Sequence, residues 1–171
     1  MKNRLTKIKC SKQLCAIYTD EESTNRFAVG YVISCDEYTI FELYDPYGHY
    51  DGIACFLTDF IYQVKTKTKY LLAIEKLVKH YNEKSCYNVD SVVDILNEIK
   101  QGKRICEIEF NNSGDNDISG VVNNFDDDIV EFTEIDEYGQ QGGESTFKRS
   151  IISSLSFDSS DTRKLEILSK N

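Results

Sequence analysis

Gly30-Tyr-Val-Ile-Ser-Cys-Asp36 and Gly120-Val-Val-Asn-Asn-Phe-Asp126 place a glycine and an aspartate at the same spacing around an apolar centre. The match extends outward from both segments. Asp45-Pro-Tyr-Gly48 lines up with Asp136-Glu-Tyr-Gly139, and Gly52 with Gly143. Phe56 then matches Phe147, Ile61 matches Ile152, Val64 matches Leu155, and Ile74-Glu-Lys-Leu77 matches Leu165-Glu-Ile-Leu168. Upstream, Leu14-Cys15-Ala-Ile17 sits against Ile105-Cys106-Glu-Ile108. The offset is 90 across the two opening segments, from the glycines to the aspartates, and 91 upstream of them and from Asp45 onward. A register held over this length is the mark of an internal duplication, which must be recognised before any single motif is read.

Each copy has the two-residue period of strands. Ile105, Glu107 and Glu109 alternate with Cys106, Ile108 and Phe110, giving one charged and one apolar face. Residues 29–43 and 118–132 read as strands broken by the acidic tips Asp36-Glu-Tyr-Thr and Asp126-Asp-Asp. Asp-x-Tyr-Gly followed by a second glycine is turn chemistry, because glycine tolerates positive φ. A last strand is expected over 53–64 in the first copy and 145–157 in the second. Between the copies the period becomes helical. Leu71, Leu72, Ile74, Leu77 and Val78 predict a helix closing the first copy. Val92, Val93, Ile95, Leu96 and Ile99 predict another, with Asp90 or Ser91 as N-cap and Gly102 as C-cap. The expected division is therefore 1–80, a linker at 81–89, and 90–171.

Composition narrows the class. With 40% hydrophobic and 29% charged residues among 171, the chain can build a core, and Phe, Tyr, Ile and Val must fill it because Trp is absent. No run of apolar residues is long enough to span a membrane, and the basic N-terminus has no apolar stretch behind it, so a cytoplasmic protein is expected. The six cysteines, at 10, 15, 35, 55, 86 and 106, form no CxxC pair and read as reduced thiols, mostly small core residues. With only His49 and His80 available, no metal or other cofactor is expected. Residues 1–82 carry a net charge of +1 and residues 83–171 carry −10, together the −9 of the chain. Such a second half repels phosphate backbones and attracts basic partners.

The order of helix, short strand, glycine within a long strand and Asp tip resembles that of Sm-like proteins, whose five bent strands close into a small SH3-like barrel. The resemblance rests on Lys103 to Phe110, Gly120 to Asp126, Ile129 to Phe132 and Ser150-Ile-Ile-Ser-Ser-Leu155. The first copy repeats it through Gly30, Asp36, Ile40 to Leu43 and Phe60-Ile-Tyr-Gln-Val64, without a clear preceding helix. It implies a mainly β fold of two tandem SH3-like/Sm-like five-stranded barrels joined by a helical segment. Val29-Gly-Tyr-Val together with Tyr47-Gly-His-Tyr-Asp-Gly52 is also similar to uncharacterised small cytosolic barrel proteins of AT-rich Gram-positive bacteria. The family's RNA-binding residues are not matched. Asp36 is followed by Glu-Tyr-Thr and Asp126 by Asp-Asp, where the family carries an Asn, and the glycine of its second motif is missing.

Two stretches stand out as contact surfaces. Tyr44-Asp-Pro-Tyr-Gly-His-Tyr-Asp-Gly52 gathers Tyr44, Tyr47, His49, Tyr50 and Asp51 on one loop, and large, rigid tyrosine rings are frequent anchors of interfaces. The alternative is a turn whose tyrosines cover the barrel end, since the second copy keeps Tyr138 and both glycines. His49 beside Asp45 and Asp51 also opens the option of acid–base chemistry. The second stretch, residues 107–144, holds twelve Asp/Glu and no Lys or Arg, with Asp126, Asp127 and Asp128 at its centre. Its alternative is a solvated face. Asp115-Asn-Asp117 lacks the spacing of a calcium loop.

No nucleophile elbow, P-loop or dinucleotide turn is present, so an enzyme is not expected. The expected function is a non-enzymatic protein-binding module, such as an inhibitor, immunity or regulatory protein of a mobile element, that meets a basic protein surface. The rival is an Sm-like RNA-binding protein using Lys2, Arg4, Lys7, Lys9 and Lys12 as a basic arm. Oligomeric state is left open.

Overall fold

The computed structural model describes residues 1–21 and 26–170. In chain order the elements are α1 (Lys2–Ser11), β1 (Cys15–Tyr18), β2 (Ala28–Cys35), β3 (Tyr38–Tyr44), β4 (Tyr50–Leu57), β5 (Gln63–Thr66) and α2 (Lys69–Tyr81). They continue with α3 (Val92–Gly102), β6 (Cys106–Phe110), β7 (Ile118–Phe125), β8 (Ile129–Ile135), β9 (Gln141–Lys148), β10 (Ile152–Phe157) and α4 (Ser160–Leu168). The mainly β expectation holds. Closure into two separate barrels does not: among the described residues ten strands form one antiparallel sheet in the order β5-β1-β2-β3-β4-β10-β6-β7-β8-β9. The two runs of five strands are joined where β4 pairs with β10.

The return of the offset from 90 to 91 between the halves has a local cause. β2 ends at Cys35 and β3 starts at Tyr38, whereas β7 ends at Phe125 and β8 starts at Ile129. The second hairpin tip is one residue longer. Both hairpins also shift register at matching places, between Val32 and Ser34 and between Val122 and Asn124. Such irregularities bend a strand without ending its pairing.

Three features differ from the sequence reading. The basic N-terminus is not an arm but the helix α1, which seats the fully buried Leu5 and Ile8 against Cys15, Ile17, Val32 and Phe41. Each of those two side chains contributes roughly 1.5–3 kcal/mol of burial. Two apolar residues in ten leave too weak a stripe to be read as a helix. Second, the last strand of each copy is broken by one helical turn, Thr58–Phe60 and Arg149–Ile151, into β4 and β5 and into β9 and β10. Thr58 fixes the first turn, donating its N–H to Glu37 O and its hydroxyl to Asp36 O. Third, α3 is capped at Ser91 by a reciprocal pair with Asp94, as expected, but Gly102 is still helical and the left-handed residue is Lys103.

β1 shows how the core is assembled. Its four residues are all buried, although strands with one wet face alternate. Cys15 and Ile17 face α1, while Ala16 and Tyr18 face Leu71, Ile74 and Val78 of α2. In the second half, Ile95, Leu96 and Ile99 of α3 pack with Cys106, Ile108 and Phe132, and the same cluster takes in Ile40, Ile53 and Cys55 of the first half. Of the six thiols only Cys15, Cys55 and Cys106 are core residues. Cys35 is half-buried, and Cys10 and Cys86 are exposed. Among the described residues, no helix is long and apolar enough to cross a membrane.

Candidate functional site

The tyrosine-rich loop joins β3 to β4, and its shape is set by Asp45. The Asp45 carboxylate accepts the N–H groups of Tyr47 and His49 at 2.8 and 2.9 Å, and its carbonyl accepts Gly48 N–H at 3.0 Å. Asp136 builds the same turn in the second half, accepting Tyr138 and Gln140 N–H groups at 3.0 and 2.8 Å. Each turn leans on the closing helix of its own half. A side chain at Gly48 would run into Leu77 and Val78 of α2, and one at Gly139 into Leu168 of α4. Both glycines also sit at positive φ, 86° and 80°.

The loop's aromatic residues converge on Glu83, which follows α2. One carboxylate oxygen lies 3.1 Å from His49 Nδ1, and the other accepts Tyr50 N–H at 3.0 Å. Its backbone carbonyl accepts the Tyr44 hydroxyl at 3.0 Å. The His49 ring stacks on Tyr81 with centroids 4.0 Å apart. The imidazole beside it, with the Tyr50 N–H, holds the Glu83 carboxyl below the usual range. Tyr44 is buried and also donates to Glu42, so burial and that carboxylate push its phenol up. Glu42 in turn accepts Ser85 N–H at 3.0 Å, which lays residues 83–85 across β3.

A groove of about 500 Å³ opens beside this cluster, between α1, α2 and the hairpin β2–β3. Tyr31, Val32 and Tyr44 line it, with Lys9, Lys79 and Glu83 at its rim. Its chemistry is amphipathic, with aromatic walls and charges of both signs. His49 faces a carboxylate, and among the described residues no serine, cysteine or lysine side chain is hydrogen-bonded to it. No group of three or more His, Cys, Asp and Glu among the described residues is placed to hold a metal ion.

The structure separates the expected contact residues into two kinds. Tyr47 is 72% exposed at the tip of the loop. Tyr44 is interior, His49 and Tyr50 are held by Glu83, and Asp51 accepts the N–H of Ser160 at 2.7 Å. Glu83, Tyr81 and Glu42, which organise the loop, were missed because they match nothing in the second copy's spacing. Only the tertiary course of residues 82–91 brings Glu83 and Ser85 onto β3 and β4.

Asp126, Asp127 and Asp128 form the β7–β8 tip, on a different hairpin from the loop. Asp126 closes the tip by accepting the N–H groups of Asp128 and Ile129, both at 2.8 Å, and these bonds hold its carboxyl low. Asp127 projects fully into solvent, 3.6 Å from the Arg149 guanidinium, and Asp128 accepts Arg149 N–H through its carbonyl. Asp126, Asp127, Asp128, Glu131, Asp136, Glu137 and Glu144 are all exposed. Among the described residues, Asp127 is the single one of these seven within ion-pair distance of a cation. No protein-family model, curated protein or solved structure matches the chain.

Proposed function

We propose that this chain is a non-enzymatic protein-binding module that engages a basic surface of another protein through the acidic side of its second half. The carrying observation is the set of seven exposed carboxylates over residues 126–144, six of them without an ion-pair partner among the described residues. At the ionic strength of a cell such a field acts over about 8 Å, which favours a partner that presents cations at contact and disfavours phosphate backbones. The Asp126 turn supplies rigidity, since its backbone bonds fix where the three carboxylates of the tip stand. Recurrence of helix, five strands and helix in the two halves, with strand orders β5-β1-β2-β3-β4 and β10-β6-β7-β8-β9, supports the reading of two like SH3-like modules. Small acidic modules of this kind suit an inhibitor, immunity or regulatory role in the cytoplasm.

The test is affinity capture from native cells with the wild-type chain and with the Asp126→Lys, Asp127→Lys, Asp128→Lys variant, after nuclease treatment. A basic protein retained by the wild type and lost by the variant supports the proposal. Equal retention by both chains removes this face from the interaction. Co-purifying RNA without a dominant protein replaces the proposal with nucleic-acid binding.

A further inference from the structure

The groove between α1, α2 and the β2–β3 hairpin is walled by residues that the second half lacks. Tyr31 and Tyr44 line it edge to face, with ring centroids 5.7 Å apart, and Val32 and Val78 add buried apolar surface. At the matched positions of the second half, Val121 stands for Tyr31 and Ile135 for Tyr44. β7 and β8 pair there in the same register, with Gly120 opposite Glu134 as Gly30 is opposite Leu43. The strand pair therefore forms without an aromatic residue at either place. The Tyr31 ring is half-buried, and its hydroxyl makes no hydrogen bond among the described residues.

Charge in the groove is satisfied on one side only. All three of its carboxylates are engaged by the chain itself. Glu42 accepts the Tyr44 hydroxyl and the Ser85 N–H, Glu75 pairs with Lys79 at 3.0 Å, and Glu83 holds His49 and the Tyr50 N–H. Three of its lysines are not engaged. Lys9 and Lys12 at the end of α1 and Lys84 after α2 are exposed, and among the described residues none lies within ion-pair distance of a carboxylate. The second half again differs. Lys100, the counterpart of Lys9, donates to Asn124 at 2.8 Å and stands over the Phe125 ring. We infer that the groove binds a small aromatic carboxylate, its ring against Tyr31 and its carboxylate among Lys9, Lys12 and Lys84.

Size, shape and charge each narrow the ligand to this class. About 500 Å³ is the volume of a small-molecule site and far more than a bare ion fills. Tyrosine rings add a further ring edge to face or offset-stacked, which favours an aromatic body over a sugar-like one. A cation meets no free carboxylate in the groove. A doubly charged phosphate gains from the lysines but is repelled twice over by Glu42, Glu75 and Glu83, so a single negative charge suits the site better. The groove belongs to the first half, and the inference does not depend on the protein partner proposed for the acidic second half.

Titration of the isotope-labelled full chain with naphthoate, followed by amide NMR, tests it. The Tyr31, Val32 and Lys84 signals should shift and saturate with a Kd below ~1 mM, while signals of β8 and β9 stay in place. Naphthylmethylamine, with the same ring and the opposite charge, should bind at least about tenfold more weakly, as should acetate, which has no ring. Naphthyl phosphate should bind no tighter than naphthoate. Tyr31→Val installs the residue that the second half carries and should weaken naphthoate binding about tenfold, the scale of one aromatic contact with its buried area. Lys9→Glu with Lys84→Glu should weaken it by a similar factor, whereas Lys164→Glu with Lys170→Glu, which alters net charge equally in the second half, should leave it unchanged. Urea midpoints check that each variant is folded. Groove signals that do not shift or saturate overturn the inference. So do equal affinity for the amine, tighter binding of the phosphate, or unchanged affinity in Tyr31→Val or in the Lys9 and Lys84 variant.

Discussion

Asp51 accepts a 2.7 Å hydrogen bond from the backbone N–H of Ser160, the first residue of α4. A side chain of the first half thus satisfies one of the orphan donors at a helix start in the second. The bond lies beside the β4–β10 junction, where the two halves share strands. Asp51 has a structural task that its place in a tyrosine-rich loop does not suggest.

Asp51→Ala should therefore destabilise the chain by about 1 kcal/mol, the usual cost of losing a side-chain acceptor at a helix N-terminus. Asp51→Asn, which keeps an acceptor oxygen, should retain most of the stability. Urea denaturation followed by circular dichroism measures both, and an alanine variant as stable as the wild type refutes the assignment.

Gly52 and Gly143 are repeat counterparts with opposite tolerance. Gly52 sits at φ 97° with Phe157 O where its Cβ would be. Gly52→Ala should cost roughly 2–4 kcal/mol through strain and a displaced backbone. Gly143→Ala meets open space and should be close to neutral in the isolated chain. Comparing the two melting temperatures decides the point.

Two carboxylates should act on stability with opposite signs of pH dependence. Glu83 is held low by the His49 ring and the Tyr50 N–H. Its contribution is present above the ordinary glutamate range and is lost as pH falls through its folded value. Glu107 is pushed up by burial and then by Asp161, so its charged form opposes folding at neutral pH and that penalty disappears on acidification. Glu107→Gln should thus raise the denaturation midpoint at pH 7 and lose its advantage at low pH, whereas Glu83→Gln should lower the midpoint at pH 7. Midpoints for both variants from pH 3 to 8 check the signs.

Thiol reactivity should divide the cysteines by burial. Burial pushes the Cys15 and Cys55 thiols up to about 12, and it also raises Cys106. Since the thiolate is the reactive form, these three should be labelled by a disulfide reagent only on unfolding, whereas Cys10 and Cys86 react in the native chain. Mass spectrometry of the labelled peptides reads the division. Rapid native labelling of Cys55 would mean that the shared core opens far more easily than its packing implies.

Much of the architecture is legible in the residues because it depends on short-range chemistry. Alternation in Ile105 to Phe110 marks a strand, Asp-x-Tyr-Gly marks a turn that recurs with the same hydrogen bonds, and Ser91 caps its helix. The likeness of the two halves is read from spacing, and the inserted residue that returns the offset from 90 to 91 lies in the Asp126 tip. Features that depend on one segment meeting another are not legible. Leu5 and Ile8 are too few to announce α1, and become a helix face only where β1 to β3 offer an apolar surface. Glu83 is one acid among many until the chain after α2 lays it against His49 and Tyr50. Charge shows the same limit: the sequence tells that residues 126–144 are acidic, but their solvent exposure is a property of the folded surface.

The sequence by itself determined a mainly β chain built from two similar halves, with its turns, its caps and the acidity of its second half, because these follow from periodicity, side-chain hydrogen bonding and composition. Only the tertiary structure decided that the halves share one sheet. Whether β4 closes on its own β5 or on β10 depends on which edge fits it over a separation of about a hundred residues, and no local pattern encodes that choice. Here the fit is made by Gly52 lying against Phe157, with Ile53 and Cys55 buried in a core common to both halves.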